Sequence, residues 1–436
     1  MKLFGSSGFR GVADKHLLET VFKLGLSVGK LAASALIGTD PRTSSDVIKN
    51  CMMGGLMASG CKVYDAGMVP TPTVAYNSRE FEVGVMITAS HNPPQYNGIK
   101  LWNPDGSAFN DEQRKEIETL VANENLETTS WELMGHSTVF PDAIERHIQH
   151  ILRDFPAQYP VKVVVDCGYG AASVITPYLL QRLGCCVVSL NSTPSGLFPR
   201  GIEPIPENLR DLAVTVTATE SDLGLAHDAD ADRLVVVDNR GRFVSGDKLM
   251  ILFAKDVNAR SITTTVDASM SIEECGLEVI RTRVGDVFVA EQLTQGGDFG
   301  GEPSGSWIFP SISYCPDAVY AAARIVKIAT NGQLSEQLDR IASYPIRRGA
   351  ISGDNRISID YIGQHLNNLA PLSVDYTDGI RLSFTDGWLL VRASGTESKI
   401  RLTAESKTAE KTDNLYNSAL KIVQELTGSS KSGIDT

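Results

Sequence analysis

Apolar positions along the chain gather in short β-rich runs separated by amphipathic helical stretches, and this alternation persists through the first three quarters of the sequence. The runs "SALIG" (34–38), "CKVYDAG" (61–67) and "VGVMI" (83–87) read as strands, with a helix over about 45–58 between the first two. Strand and helix alternating in this way predict parallel α/β sheets. A second set begins at "VKVVVDCGYGAAS" (161–173), where a strand ends in a glycine-rich turn before a helix. It continues through "CCVVSL" (185–190) to "DLGLAHD" (222–228) and the strand "LVVVD". A third opens at "GDKLMILFAK" (246–255), runs through "SITTTVD" (261–267) and "VIRTRVGD" (279–286), and reaches "FGGEPSGSWIF" (299–309).

From about residue 351 the pattern changes to the short strands "GIRLSF", "GWLLVRAS" and "KIRLTAES" and a closing helix to about residue 426, followed by a polar tail expected to fray. The expected fold is α/β, with three similar α/β sheet units and a smaller C-terminal α+β domain. We place the boundaries at 1–154, 155–252, 253–352 and 353–436. A chain of 436 residues exceeds what one hydrophobic core holds, so several cores are expected.

Composition narrows the class. At 42% hydrophobic and 21% charged the chain is an ordinary globular sequence. Its net charge of −12 argues against a nucleic-acid surface, which needs basic patches. Seven cysteines show no C-x-x-C pairing and predict buried, reduced thiols in a cytoplasmic setting. The start "MKLFGSSGFRG" lacks an apolar signal core, and no apolar run approaches the roughly 20 residues that span a membrane. No membrane partner is expected.

The candidate chemistry sits where strands end, the place at which open α/β sheets bind ligands. After "VGVMI" comes "TASHNPPQYNGIK", with Ser90, His91 and Lys100. A hydroxyl there has a polar neighbour and a possible proton acceptor, although serines in such loops also cap turns. "AHDADADR" carries Asp228, Asp230 and Asp232 at alternate positions. Carboxylates so close repel unless a cation lies among them, and hard oxygen ligands select Mg2+ or Ca2+ over zinc. An EF-hand needs Gly at the sixth position and Glu at the twelfth, where this chain has Arg233 and Asn239, so that reading fails. An aspartate-nucleophile phosphatase is a rival reading.

"GGEPSGSW" offers Glu302 and Ser304, either as partners for sugar hydroxyls or as a turn. "RASGTESKIR" carries Arg392, Ser394, Gly395, Thr396 and Arg401, a composition suited to an anion nest or to a solvated surface turn. "FGSSGFRG" supplies Ser6, Ser7 and Arg10, whose guanidinium could face a second anion. Asp40 and Arg42 in "GTDPRTSS" predict a structural ion pair supporting the serine loop. The histidines at 16, 136, 147, 150 and 365 show no metal spacing and are assigned no role.

The segments "FGSSGFRG", "TASHNP", "DADADR", "GEPSG" and "RASGTE", in this order and at these separations, resemble the α-D-phosphohexomutase family over essentially the whole chain. The resemblance implies four domains around a central cleft and a phosphoserine at Ser90, which would donate and recover a phosphoryl group. It implies one Mg2+ ion held by Ser90, Asp228, Asp230 and Asp232, Lys100 as general base, and His91 orienting the phosphoryl group or proton. Arg10 and Arg233 would stabilise phosphoserine charge, and Glu302 and Ser304 would bind sugar hydroxyls. Arg392, Ser394, Gly395, Thr396 and Arg401 would hold the non-reacting phosphate.

The reaction so implied interconverts hexose 6- and 1-phosphates through a hexose 1,6-bisphosphate, which also serves as activator. The partner is a small phosphosugar, the assembly a monomer or homodimer, and a hinge near residue 350 is expected. "TRVGDVFV" (282–289) and "GEPSGSW" are most similar to the phosphoglucosamine mutase group, especially its archaeal-type members, with the phosphomannomutase/phosphoglucomutase group as the alternative. Thr39 and Pro41, Ser306 and Ser398 depart from the bacterial phosphoglucosamine mutase pattern. A sugar-phosphate binder without catalysis is the alternative of another class.

Overall fold

The computed structural model describes residues 3–5, 8–123, 126–352, 359–393, 399–427 and 434–435. Contacts divide the chain into two compact units, one of residues 1–260 and 285–339, the other of residues 261–284 and 340–436.

The first unit opens with a six-stranded sheet made of β1 (Phe9–Val12), β2 (Ser34–Thr39), β3 (Lys62–Met68), β4 (Val83–Ile87), β5 (Tyr96–Trp102) and β6 (Ser137–Val139), in the order β1-β5-β4-β2-β3-β6. Each residue of β4 is buried, which is why that strand reads as an unbroken apolar run and lies inside the sheet. The helix Ser45–Ala58 lies where the sequence placed it and turns Ile48, Met52 and Leu56 into the core. The helix Lys15–Leu31 starts at Asp14, whose Oδ1 accepts the Leu17 N–H at 2.9 Å and so fills one of the free donors at that end.

A second sheet holds β7 (Lys162–Asp166), β8 (Cys186–Leu190), β9 (Leu223–His227) and β10 (Leu234–Asp238) in the order β10-β9-β7-β8. Strands β11 (Ser261–Thr265) and β12 (Glu278–Thr282) belong to the second unit. The first unit resumes at Gly285 and contains the short hairpin of β13 (Gly300–Gly301) and β14 (Trp307–Ile308).

The expected α/β class is present, but the sheets are mixed where the sequence predicted parallel ones. Strands β2, β3 and β4 run parallel, as do β7, β8 and β9. The strands that follow the chemistry-bearing loops return antiparallel: β5 against β4, β10 against β9 and β14 against β13. Apolar runs reveal strands without revealing direction, and a loop of a few residues leaves room only for an antiparallel return, since a parallel one needs a crossover of a dozen or more residues.

In the second unit β15 (Ile346–Ser352), β16 (Ser373–Asp375), β17 (Ile380–Phe384), β18 (Gly387–Ala393), β19 (Lys399–Ser406) and β20 (Ile434–Asp435) form an antiparallel sheet in the order β16-β17-β18-β19-β15-β20. One face buries Leu389, Val391, Ile400 and Leu402 in a core shared with Ile362 and Leu366 of the helix Ile359–Leu366 and Tyr416 and Val423 of the helix Ala409–Thr427. On the opposite face Trp388 and Leu390 pack with Val266, and Glu405 accepts hydrogen bonds from Ser269 Oγ (2.5 Å), Met270 N (2.8 Å) and Trp388 Nε1 (2.6 Å). The hinge expected near residue 350 borders residues 353–358, which lie outside the described residues.

All seven cysteines are free; Cys61, Cys167, Cys185 and Cys315 are buried as expected, Cys51 and Cys275 are partly buried, and Cys186 is exposed, against that expectation. It opens strand β8, the edge of its sheet, with its side chain turned to solvent. His147 is a core residue: its ring bridges Thr73 Oγ1 and Asp317 Oδ2 at 3.0 Å each.

Candidate active site

The serine loop is built on a buried ion pair. Arg42 Nε lies 3.0 Å from Asp40 Oδ2, and both side chains are fully enclosed. The remaining guanidinium donors reach the carbonyls of Ser90 (2.6 Å), Asn92 (2.7 Å), Pro93 (2.8 Å) and Tyr96 (2.8 Å). One planar group thus holds the backbone of the whole loop, as the sequence led us to expect of Asp40 and Arg42. Thr88 joins them, donating to Asp40 Oδ2 at 2.7 Å and accepting the Ser90 N–H at 2.8 Å. Ser90 is thereby held at φ +50°, a left-handed conformation that a side chain adopts only when its surroundings over-determine it.

The Ser90 hydroxyl donates to Asp228 Oδ2 at 2.9 Å and lies 3.3 Å from His91 Nδ1. Asp228, Asp230 and Asp232 sit on the turn between β9 and β10, all buried, with one carboxylate oxygen of each within 4.8 Å of the others. Ala231 between them has φ +53°, a second strained position in the same turn. Lys100, on β5, donates to Asp230 Oδ2 at 2.8 Å and to Asp232 Oδ2 at 2.5 Å. Thr71, which sequence reasoning missed, donates its N–H to the Asp230 carbonyl (2.8 Å) and its hydroxyl to Asp230 Oδ2 (2.5 Å). Nothing in "PTPT" marks that threonine in advance.

Charge in this cluster is unevenly shared. Burial opposes the Lys100 ammonium, but Asp230 and Asp232 outweigh it and hold the lysine protonated beyond the ordinary lysine range. Burial likewise opposes the Asp230 carboxylate, yet Lys100 and Thr71 keep it ionised. Asp228 carries the remaining strain: burial, Asp232 and Asp230 push its carboxyl well up. His91 is driven down to about 2 by burial and by the charges of Arg233, Arg10 and Lys100, so its ring is neutral.

Lys100 pairs directly with Asp230 and Asp232 alone, and Asp230 Oδ1 and Asp232 Oδ1 are buried with no hydrogen-bond partner among the described residues. An all-oxygen set with two orphaned acceptors and the Ser90 hydroxyl beside it suits a hard divalent cation such as Mg2+ or Ca2+.

The other expected residues of the first unit lie near. Arg10 donates to Asn92 Oδ1 at 2.7 Å. The Arg233 N–H reaches Asp228 Oδ1 at 3.3 Å, and its guanidinium lies 3.6 Å from Glu203. The turn between β13 and β14 is tied to the aspartate loop through Leu234 N to the Gly305 carbonyl and Trp307 Nε1 to the Leu234 carbonyl, 2.9 Å each. Gly305 has φ +102°, and a Cβ there would meet the Leu234 carbonyl at 2.9 Å, so the approach requires glycine. Glu302 Oε1 accepts the Gly285 N–H at 2.8 Å, and Ser304 Oγ, exposed, donates to Glu302 Oε2 at 3.4 Å.

Asp286, next in the chain, was not singled out as a site residue. Burial and the charge of Asp232 raise its carboxyl, which places it in the same electrostatic neighbourhood; the only sequence signal was its place in "TRVGDVFV". Arg392 and Arg401 belong to the second unit. Ser6, Ser7, Ser394, Gly395 and Thr396 lie outside the described residues.

Comparison with known proteins agrees along the chain. Four domain models of one family match in succession: "Phosphoglucomutase/phosphomannomutase, alpha/beta/alpha domain I" over residues 1–128, domain II over 145–241, domain III over 245–344 and the C-terminal domain over 361–421. A "Probable phosphoglucosamine mutase" of Methanosarcina acetivorans is 48% identical over 98% of this chain and 99% of its own. The "Phosphoglucosamine mutase" of Methanococcus maripaludis strain S2 is 38% identical over 97% and 99%. Among solved structures, a phosphoglucomutase/phosphomannomutase family protein from Burkholderia thailandensis superposes with a TM-score of 0.89 at 26% identity, covering 98% of each chain.

Proposed function

The chain belongs to the phosphoglucomutase/phosphomannomutase family, and from that membership we infer that it is a phosphosugar mutase, an isomerase that interconverts glucosamine 6-phosphate and glucosamine 1-phosphate. The full-length archaeal relatives support the amino sugar over the mannose and glucose alternatives. The observation that carries the mechanism is the 2.9 Å contact between the Ser90 hydroxyl and Asp228, inside a cluster of three buried carboxylates.

Ser90 is the group that gives and regains the phosphoryl. Phosphoryl transfer asks for in-line positioning and neutralised charge more than for covalent chemistry. Arg42 and Thr88 position Ser90 by fixing its backbone, and Asn92 orients Arg10 near it. Asp228, Asp230, Asp232 and an oxygen on Ser90 would hold Mg2+, which when bound would offset negative charge on the phosphoryl oxygens. His91, neutral, offers a hydrogen bond at the serine oxygen and does not supply a proton as an imidazolium.

Lys100 retains its proton while paired with Asp230 and Asp232, so it can act as base toward the sugar hydroxyl only after leaving that pair. Arg233 adds positive charge beside Asp228. Glu302 and Ser304 present acceptors and a hydroxyl to the sugar ring. Arg392 and Arg401, with Ser394, Gly395 and Thr396, would hold the phosphate that is not reacting. The cycle moves the phosphoryl of Ser90 to the free hydroxyl of the hexose phosphate, yields a 1,6-bisphosphate that turns over, and returns the other phosphoryl to Ser90. The same bisphosphate added in trace would load Ser90.

No helix among the described residues is long and apolar enough to cross a membrane, and the names of the relatives support a metabolic role in the cytoplasm. The test is a coupled mutase assay with Mg2+ and trace hexose 1,6-bisphosphate on glucosamine 6-phosphate, mannose 1-phosphate and glucose 1-phosphate. Fastest turnover of the glucosamine phosphate is expected. Preference for mannose or glucose moves the protein to the alternative substrates, and release of inorganic phosphate without isomerisation overturns the mutase reading.

A further inference from the structure

We propose that a cavity in the second unit, lined by Asp267, Arg348, Arg392 and Arg401, receives the zwitterionic end of a hexosamine 1-phosphate, the arginines taking the phosphate and Asp267 the neighbouring 2-ammonium group. The inference rests on the mutase reading and says which orientation of the sugar this part of the protein selects.

The cavity encloses about 230 Å³ above the face of the sheet opposite its aliphatic core. Register places its arginines. Arg392 on β18 stands directly opposite Arg401 on β19, and Arg401 is opposite Ala350 on β15, two residues from Arg348. Side chains two apart on a strand share a face, so the three guanidiniums project to one side. Like charges set directly across a strand pair repel, with Cβ atoms only about 4.5–5.5 Å apart. Asp378 relieves Arg392 in part, at 3.4 Å, and no ion pair among the described residues reaches Arg348 or Arg401. The arrangement therefore carries an excess of positive charge that a dianionic phosphate would offset.

Asp267 is the feature that a site for phosphate alone does not explain. It is the one carboxylate among the cavity's lining residues, and close to a phosphate it would repel it. Its Oδ1 accepts the Thr265 hydroxyl at 2.5 Å, which fixes the carboxylate at the end of β11. No ion pair among the described residues joins it to an arginine. A carboxylate held in place, not engaged by the cations beside it, is complementary to a ligand carrying a cation next to its anion.

A hexosamine 1-phosphate is such a ligand, because its ammonium-bearing carbon adjoins the phosphorylated one. In the 6-phosphate isomer the amine lies across the ring from the phosphate and outside so compact a cavity. Glucose and mannose phosphates have only a hydroxyl at that carbon and would leave Asp267 facing the phosphate without a cation. Asp267 thus favours the orientation with the 1-phosphate among the arginines, and it separates the amino sugar from its neutral relatives.

The test is calorimetric titration of the full chain carrying Ser90→Ala, with and without Asp267→Asn, using glucosamine 1-phosphate, glucose 1-phosphate and glucosamine 6-phosphate as probes. Asp267→Asn is expected to weaken glucosamine 1-phosphate by about tenfold or more while leaving the other two unchanged or tighter, the behaviour of a polar site that has lost its matching partner and its repulsion of an unaccompanied phosphate. An equal loss for all three sugars, or an unchanged ratio between the two 1-phosphates, overturns the proposal. Arg348→Gln, at an exposed position, supplies a second reading should Asp267→Asn fold poorly: it is expected to weaken both 1-phosphates alike, and no effect on either overturns the assignment of the arginines. Failure of the mutase reading would show separately, as absence of isomerisation by the unmutated protein.

Discussion

The hydroxyl of Ser90 lies 2.9 Å from Oδ2 of Asp228, although 138 residues separate them in the chain. Ser90 lies in the loop after β4 of the first sheet and Asp228 in the turn after β9 of the second, so the fold brings together the tips of two hairpins. If Ser90 is the phosphoryl carrier, Ser90→Ala should lower mutase turnover by a factor of roughly 10³ or more with little change in thermal stability. Turnover within tenfold of the unmutated protein would remove Ser90 from the mechanism.

Removing a divalent cation should silence the enzyme, and Asp230→Asn should weaken its binding. Chelation is expected to abolish isomerisation, with Mg2+ restoring it better than Zn2+, because the ligands are all hard oxygens. Titration of Mn2+ as a spectroscopic reporter should show about tenfold weaker affinity in Asp230→Asn. Full activity in the presence of chelator would count against a metal at the aspartate cluster.

Among the described residues Lys100 supplies the cluster's only directly paired ammonium, so its loss should be felt most when no cation is bound. Lys100→Met is expected to lower the melting temperature of chelator-treated protein by about 1–2 °C, on the order of what 1–2 kcal/mol produces in a chain of this size. Added Mg2+ should shrink the deficit. An equal deficit in both conditions would mean that the cation and Lys100 do not share these carboxylates.

Arg42 holds four carbonyls of the serine loop and is paired to Asp40 in the interior. Arg42→Met leaves a buried carboxylate unpaired, at a cost of roughly 3–5 kcal/mol. Ser90 loses its anchor with it, and turnover should fall on the order of a hundredfold beyond any loss of folded protein. Denaturant unfolding and kcat on the folded fraction check the two parts independently.

Burial pushes the thiols of Cys61, Cys167 and Cys185 up to about 12. At pH 8 only about one in 10⁴ of such groups is a thiolate, the form that reacts. Cys186 is exposed. Labelling of native protein with a thiol reagent at pH 8 should therefore modify Cys186 first, and the three buried thiols should follow only on unfolding. Early modification of Cys61 would contradict the packing described for the first sheet.

How much of this was legible beforehand depended on the kind of residue. The aspartate triplet interrupts apolar runs with groups that have no bland reason to be there, so it could be found alone, whereas the serine loop could equally cap a turn and gained its reading only in combination with the triplet. Asp40 and Arg42 could be assigned to support because opposite charges two residues apart in one loop read as a structural ion pair. Strand direction could not be read, because β10 and β14 look the same as sequence whether they return parallel or antiparallel. The grouping of residues 261–284 with the last quarter of the chain rests on nonlocal contacts such as that of Ser269 with Glu405, 136 residues away. Asp267 closes an ordinary strand, "SITTTVD", and gains meaning only from the arginines that line the same cavity.

The central claim is that Ser90 carries a phosphoryl group between two positions of one sugar. The direct measurement is mass spectrometry of the protein after incubation with glucosamine 1,6-bisphosphate and Mg2+, then after addition of glucosamine 1-phosphate. With a bisphosphate whose phosphoryl groups are isotopically labelled, the account predicts a single labelled phosphoryl group on the peptide containing Ser90, which on adding unlabelled glucosamine 1-phosphate is replaced by an unlabelled one as the label appears in glucosamine 6-phosphate. A protein that isomerises the sugar while Ser90 stays unmodified, or that only releases inorganic phosphate, would contradict it.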